Sequence, residues 1–210
     1  MSRIKDAFDA VAEAIIAQKD YLSDIDAKAG DGDHGDHGLN MARGFRAAKE
    51  VVDEMEDTSQ PGPVLKKIGK ALIQNVGGAA GPLYGAAFVK AGEACDEETR
   101  MNIVSFEKLL AAAIEAIQSR GRAEQGDKTI LDALIPIHDC FLPENVEDKN
   151  LFEVLQEASK AAGDGVNYTK EIPAKKGRAS LVGERSIGVE DPGAVSTMLM
   201  YRALYQFLKR

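Results

Sequence analysis

With 210 residues, 44% of them hydrophobic and 29% charged, the chain has an ordinary globular composition and enough length to bury a real core. Its formal net charge of −8 excludes binding to nucleic acid through the phosphate backbone, which needs a basic surface, and suits a protein that recruits cations or basic partner surfaces. Cys95 and Cys140 lie far apart without metal-ligand spacing, no signal peptide is visible, and no apolar run approaches the roughly 20 residues of a membrane span, so a cytoplasmic protein without disulfides or membrane contact is expected.

Helical periodicity governs the chain from its start. Ile4, Phe8, Val11 and Ile15 fall on one face of a first helix. A second is expected over 40–55. Val64, Leu65, Ile68, Ala71 and Leu72 mark a third, and 79–94 a fourth. Phe106, Leu109, Leu110, Ala113, Ile114 and Ile117 form the face of a fifth. Helices over 128–140 and 150–162 follow. The last, over 195–208, is apolar almost all round, as a central buried helix would be. About eight helices without convincing strands, repeats or a linker predict an all-α fold, a single helical bundle or barrel formed by one domain over 1–210. The intervening stretches 29–38, 76–82, 120–128 and 175–193 are rich in Gly, Asp and Pro. In a bundle such loops collect at helix ends, where polar groups on a rigid scaffold carry chemistry.

The densest of these loops holds Asp26, Asp31, Asp33, His34, Asp36 and His37, followed by Gly38, Leu39 and Asn40. Crowded carboxylates repel one another unless a cation offsets them, and the glycines let several oxygens face one point. Hard oxygen ligands suit magnesium or calcium. Three other readings stand beside this one. The loop is a solvated acidic turn; or it is an EF-hand, although Ala42 sits where the twelfth-position Glu belongs; or His34 and His37 bind zinc, against the surplus of carboxylates.

Residues 76–82 are small and open a predicted helix, which suits either phosphate at a helix N-terminus or close helix packing. Gly121 and Gly126-Asp127-Lys128-Thr129 approach a Walker A motif but carry one residue too many and follow a helical pattern, so a P-loop is rejected. Arg178 and Arg185 lie among glycines. Each can clamp a phosphoryl group with paired donors, or form a surface ion pair with Glu184 or Asp191. His138 sits on a helical segment, and no Ser-His-Asp or Cys-His arrangement is present.

Taken together, these loops resemble the ADP-binding L subunit of bacterial dihydroxyacetone kinase. The matching pieces are residues 29–34, His37 to Phe45, Val76 to Leu83, Arg120 to Glu124 with Gly126 to Thr129, and Gly177 to Ser180 through Gly183 to Gly188 and Asp191 to Gly193. They run in family order across almost the whole chain. The chain departs from the family in a three-residue Asp-His-Gly duplication, in Ala80 for a common serine, and in Leu181, Val182 and Val189 for a frequent Tyr-Leu and His.

The resemblance implies an eight-helix antiparallel barrel with the nucleotide in loops at one rim. It implies two magnesium ions on Asp26, Asp31 and Asp33. It places ADP or ATP on His37, Gly38, Leu39 and Asn40, on Ala79 and Ala80, on Gly121, Ile130 and Arg178, and on Asp191, Pro192 and Gly193. Arg178 would stabilise charge on the transferring group. The substrate, dihydroxyacetone or a related ketose, would be held covalently by a histidine of a separate K subunit. A phosphotransferase-system phosphocarrier would then rephosphorylate the bound ADP. A homodimer is compatible with this scheme. Relatives that fuse both parts and use free ATP imply a second scheme, with another short sugar or sugar acid as substrate. A related fatty-acid kinase domain would be expected to carry further domains. From a different class, a non-catalytic nucleotide- or metal-binding regulator would need no cation placed for transfer.

The duplication offers two registers. Only the left one, Asp26, Asp31 and Asp33, supplies three carboxylates at the family spacing. It is therefore expected to hold the metals while His37 to Asn40 contact the nucleotide and residues 34–36 loop out between them.

Overall fold

The computed structural model describes residues 3–30, 32 and 35–210. Nine α-helices occur among the described residues: α1 Arg3–Ala17, α2 Lys19–Ala29, α3 His37–Asp53, α4 Pro61–Asn75, α5 Ala80–Ala94, α6 Ile103–Gly121, α7 Leu131–Asp139, α8 Leu151–Thr169 and α9 Pro192–Leu208. Short 3-10 turns lie at Pro143–Asn145 and Arg178–Ser186. There is no strand among the described residues, in agreement with the all-α expectation.

Each helix starts and stops for local reasons. Phe8, Val11, Ala12 and Ile15 give α1 its buried stripe. Asn150 and Glu153 form a reciprocal capping box at the start of α8. Pro61 opens α4 and Pro192 opens α9, where proline's missing N–H has no intrahelical partner to lose. The extra helix relative to the sequence expectation is α2, set off from α1 by Gln18. Only Leu22, Ile25 and Ala29 of α2 are buried.

Neighbouring helices close a ring in the order α1, α3, α4, α5, α6, α7, α8, α9 and back to α1, with α2 lying against α3 and α9. Connections reverse the chain at each step from α3 onward, the longest being the segment 170–191 between α8 and α9, so alternate helices begin at the same end. The ring encloses an apolar cavity of about 980 Å³, lined by residues such as Phe8, Ile68, Phe88, Leu110, Leu134 and Leu155. The last helix is therefore not a central one. It is a stave of the ring: Val195, Tyr201 and Tyr205 are buried while Arg202 and Gln206 face solvent. Its two apolar flanks are accounted for by a cavity on one side and neighbouring staves on the other.

Cys95 is buried and Cys140 half-buried, and both are free thiols. No helix among the described residues is long and apolar enough to cross a membrane.

Candidate functional site

The alternation of the ring brings the N-termini of α3, α5, α7 and α9 to one rim, together with the C-terminal ends of α2, α4, α6 and α8. Four positive helix-dipole ends thus point the same way, with several first-turn N–H groups already bonded to Asp26, Ser23, Thr129 and Asp191. The predicted nucleotide contacts sit on these ends. His37, Gly38, Leu39 and Asn40 form the first turn of α3, and Ala79 and Ala80 open α5. Ile130 precedes α7, Asp191 caps α9, and Pro192 and Gly193 begin it. Gly121 closes α6.

Side chains tie these ends together. His37 Nε2 lies 3.0 Å from Ser196 Oγ, joining α3 to α9. The buried Tyr84 of α5 stands 2.7 Å from the same Ser196 Oγ and donates to the Gly193 carbonyl at 2.8 Å. Burial pushes the Tyr84 phenol above its ordinary range, so it stays protonated. Burial lowers the His37 pKa, against the pull of Asp26 and Asp36. Arg43 donates to Asn40 Oδ1 at 2.9 Å and to the Asn75 carbonyl at 2.8 Å, fixing Asn40 to the end of α4. A Cβ built on Gly38 would lie 1.8 Å from the Lys19 carbonyl, so only glycine lets the start of α3 rest on α2.

Asp26, in the last turns of α2, uses one carboxylate oxygen to accept from the backbone N–H groups of Asp36 and His37, both at 3.0 Å. It thereby caps α3 from outside that helix, where negative charge is favoured. Of the three expected metal ligands, Asp26 alone can be placed; Asp31 and Asp33 lie outside the described residues, as does His34. No three His, Cys, Asp or Glu side chains converge as a metal set among the described residues. The donor chemistry still fits a hard cation: Asp26 keeps its second oxygen, and the two further carboxylates follow at once in sequence.

Residues 35 and 36 are seated, in contrast to the expected loop-out of 34–36. A Cβ on Gly35 would lie 1.9 Å from the Ser23 carbonyl, so its backbone rests on α2. The Asp36 carboxylate is 3.4 Å from the Arg178 guanidinium. That pairing brings the loop between α8 and α9 to the rim, and it replaces the Glu184 or Asp191 partner weighed from sequence. The Asp191 carboxylate accepts from the Ala194 N–H at 2.7 Å, and the Asp191 N–H donates to Thr169 Oγ1 at 3.0 Å. Desolvation pushes the Asp191 pKa up to about 7, with nearby Asp132 adding to the effect and Ala194 N–H opposing it.

Sequence reasoning did not single out Tyr84, Ser196, Thr197 or Asp132. A buried tyrosine amid the small residues of α5 was the one available signal for the first. His138 pairs with Glu107 at 3.4 Å near the C-terminal end of α7, away from the rim.

An all-α ring with its polar ends gathered at one rim defines the class. The DAK2 domain family matches residues 28–206, and the chain belongs to that family. It is 39% identical over 194 residues to the PEP-dependent dihydroxyacetone kinase 1, ADP-binding subunit DhaL, of Listeria innocua, covering 92% of this chain and 90% of that protein. It is 37% identical over 194 residues to the PTS-dependent dihydroxyacetone kinase, ADP-binding subunit DhaL, of Lactococcus lactis, covering 92% and 91%. Among solved structures it is similar to the dihydroxyacetone kinase of C. freundii, with a TM-score of 0.71 and 25% identity over 97% of this chain; it spans 34% of that longer chain.

Proposed function

We propose that this chain is the nucleotide-binding subunit of a dihydroxyacetone-type kinase, a phosphotransferase with an alcohol acceptor, and that residues 1–210 act as one L-type domain. The observation that carries the reading is the seating of Arg178 on Asp36, beside the Asp26-capped start of α3. It would set a cation for the transferring group near Asp26, one of the carboxylates that would hold the counter-ion.

Asp26, Asp31 and Asp33 would hold magnesium. When bound, magnesium offsets phosphate charge and draws the phosphate oxygens together. The remaining work falls to the chain. The helix starts at His37, Ala80 and Pro192 would turn positive dipole ends toward phosphate oxygens. Asn40, pinned by Arg43, keeps one polar edge fixed at the rim. Arg178 offers paired donors where charge develops, and positioning of this kind supplies most of the catalysis of phosphoryl transfer. The ketose would be held on a separate K-type subunit, and a phosphotransferase-system phosphocarrier would rephosphorylate the bound ADP. Leu181, 85% exposed on the Arg178 loop, is an apolar contact available to such a partner.

Reconstitution tests the division of labour. The chain alone, supplied with ATP and dihydroxyacetone, is expected to give no turnover, and a K-type subunit with a phosphate source is expected to restore it. Robust turnover by this chain alone would overturn the reading.

A further inference from the structure

Lys128 belongs to the near-miss Walker segment that the function leaves unused. It is 1% exposed and its backbone is left-handed, with φ +61. That conformation is costly for a residue with a side chain and marks a place where the surroundings impose it. The turn is imposed by the buried Asp132, whose carboxylate accepts from the Gly126 N–H at 2.6 Å and the Thr129 N–H at 2.7 Å. The Lys128 side chain is thereby buried and bonded to main-chain carbonyls.

Its ammonium donates to the Ser186 carbonyl at 2.5 Å and to the Ile172 carbonyl at 3.3 Å. These residues flank the loop that carries Arg178. Further bonds close the same neck. The Ala174 N–H donates to Ser186 Oγ at 2.9 Å, and Ser186 Oγ donates to the Gly183 carbonyl at 2.7 Å. The Lys175 N–H donates to the Asp127 carbonyl at 3.1 Å, one residue before Lys128. The loop has few apolar anchors of its own: Ala174 and Ser186 are its buried members between residues 172 and 188. Its place therefore depends on polar bonds made at its two ends.

We propose that Lys128 is a positioning residue that staples both ends of the Arg178 loop and so sets where the Arg178 guanidinium stands at the rim. The proposal rests on the phosphoryl-transfer role given to Arg178 above. Three donors on a long stem let lysine reach both carbonyls at once. A neutral side chain of similar length fills the space but leaves both carbonyls without a donor.

The test uses Lys128→Met and Ser186→Ala, the latter loosening the same neck without removing a buried charge. Each is made alone and with Arg178→Ala, and assayed in the kinase reconstituted with its K-type subunit. Each single variant is expected to lower kcat roughly tenfold or more, with ADP affinity and the KM for dihydroxyacetone within about threefold of the parent. In the Arg178→Ala background the same changes are expected to alter kcat little, since residues acting through one another are not additive. Amide exchange over 172–188 is expected to quicken in both single variants. Losses that multiply with Arg178→Ala, a parallel fall in ADP affinity, or unaltered exchange would each overturn the proposal. If Lys128→Met does not fold, Lys128→Gln, which keeps a donor for one of the two carbonyls, is read in its place with the same outcomes. Arg178→Ala by itself leaving kcat unchanged sinks the functional reading instead, and the exchange measurement separates the two because it needs no turnover.

Discussion

Arg178 and Asp36 come from opposite ends of the sequence, and their 3.4 Å pairing is what turns two loops into one site. Arg178 is more than half exposed, so the pair itself adds little stability. Its value lies in orientation. Arg178→Ala is expected to slow transfer by about 3 kcal/mol, on the order of a hundredfold, while ADP affinity changes by less than about threefold. Equal losses in rate and affinity, compared by steady-state kinetics and calorimetry, would make Arg178 a ground-state binding residue.

Asp191 supports a pH prediction. Its folded pKa of about 7 lies above its ordinary value, so the native protein keeps a proton that the unfolded chain has already released. Stability from this group is whole below the ordinary carboxylate range and is lost as pH rises to about 7. Asp191→Asn keeps the cap on α9, since asparagine caps as well as aspartate. It is expected to flatten the decline between pH 4 and 7, by on the order of 4 kcal/mol, leaving a slope from Asp132, which burial also raises. Thermal melts across that range decide it, and identical pH profiles for parent and variant would refute the assignment.

Residue by residue, the polar rim was legible where the sequence is punctuated: Gly, Asp and Pro in 29–38, 76–82 and 175–193. Tyr84 and Ser196 were not legible, because a hydroxyl inside an apolar helical stretch looks like any other core position. Lys128 was read only for its failure as a P-loop. What distinguishes it, two carbonyls more than forty residues ahead in sequence, exists only once the chain has folded.

At the level of elements, α4 and α5 show how small residues build the ring. Gly62 and Gly69 of α4 face Gly92 and Gly85 of α5. A Cβ on Gly69 would lie 2.5 Å from the Gly85 carbonyl, and one on Gly85 would lie 2.7 Å from the Gly69 carbonyl. The two backbones thus touch over two turns. Gly69→Ala or Gly85→Ala is expected to destabilise the protein by about 1–3 kcal/mol, despite alanine's better helix propensity, because overpacking outweighs it. Chemical denaturation measures this, and a stabilised variant would show that the helices can part without cost.

The amphipathic staves were legible for the same reason that they pack: their apolar spacing is the packing surface. Helix α2 escaped notice because Leu22, Ile25 and Ala29 are its only buried residues, with Asp20 before them and Asp24 and Asp26 between them. The pattern that hides it places Asp26 beside the start of α3. The apolar character of 195–208 pointed to a central helix. In the ring that position is filled by a cavity, a distinction that hydrophobicity alone does not carry.

Across the whole molecule, one geometric consequence matters most. In a ring of reversing helices every second N-terminus faces the same end, so four positive helix ends are gathered at one rim. A net charge of −8 would repel a nucleotide from such a rim unless cations intervene. In the proposed reading, magnesium on the aspartate loop, with Arg178 opposite Asp36, would let an acidic protein hold a polyanion.

Titration of ADP by isothermal calorimetry, with and without millimolar magnesium, tests that claim most directly. The parent protein is expected to bind ADP only with magnesium present, and Asp33→Ala is expected to abolish that binding while Asp36→Ala leaves most of it. Binding that is unchanged by chelation of magnesium, no binding under either condition, or a greater loss in Asp36→Ala than in Asp33→Ala would contradict the account.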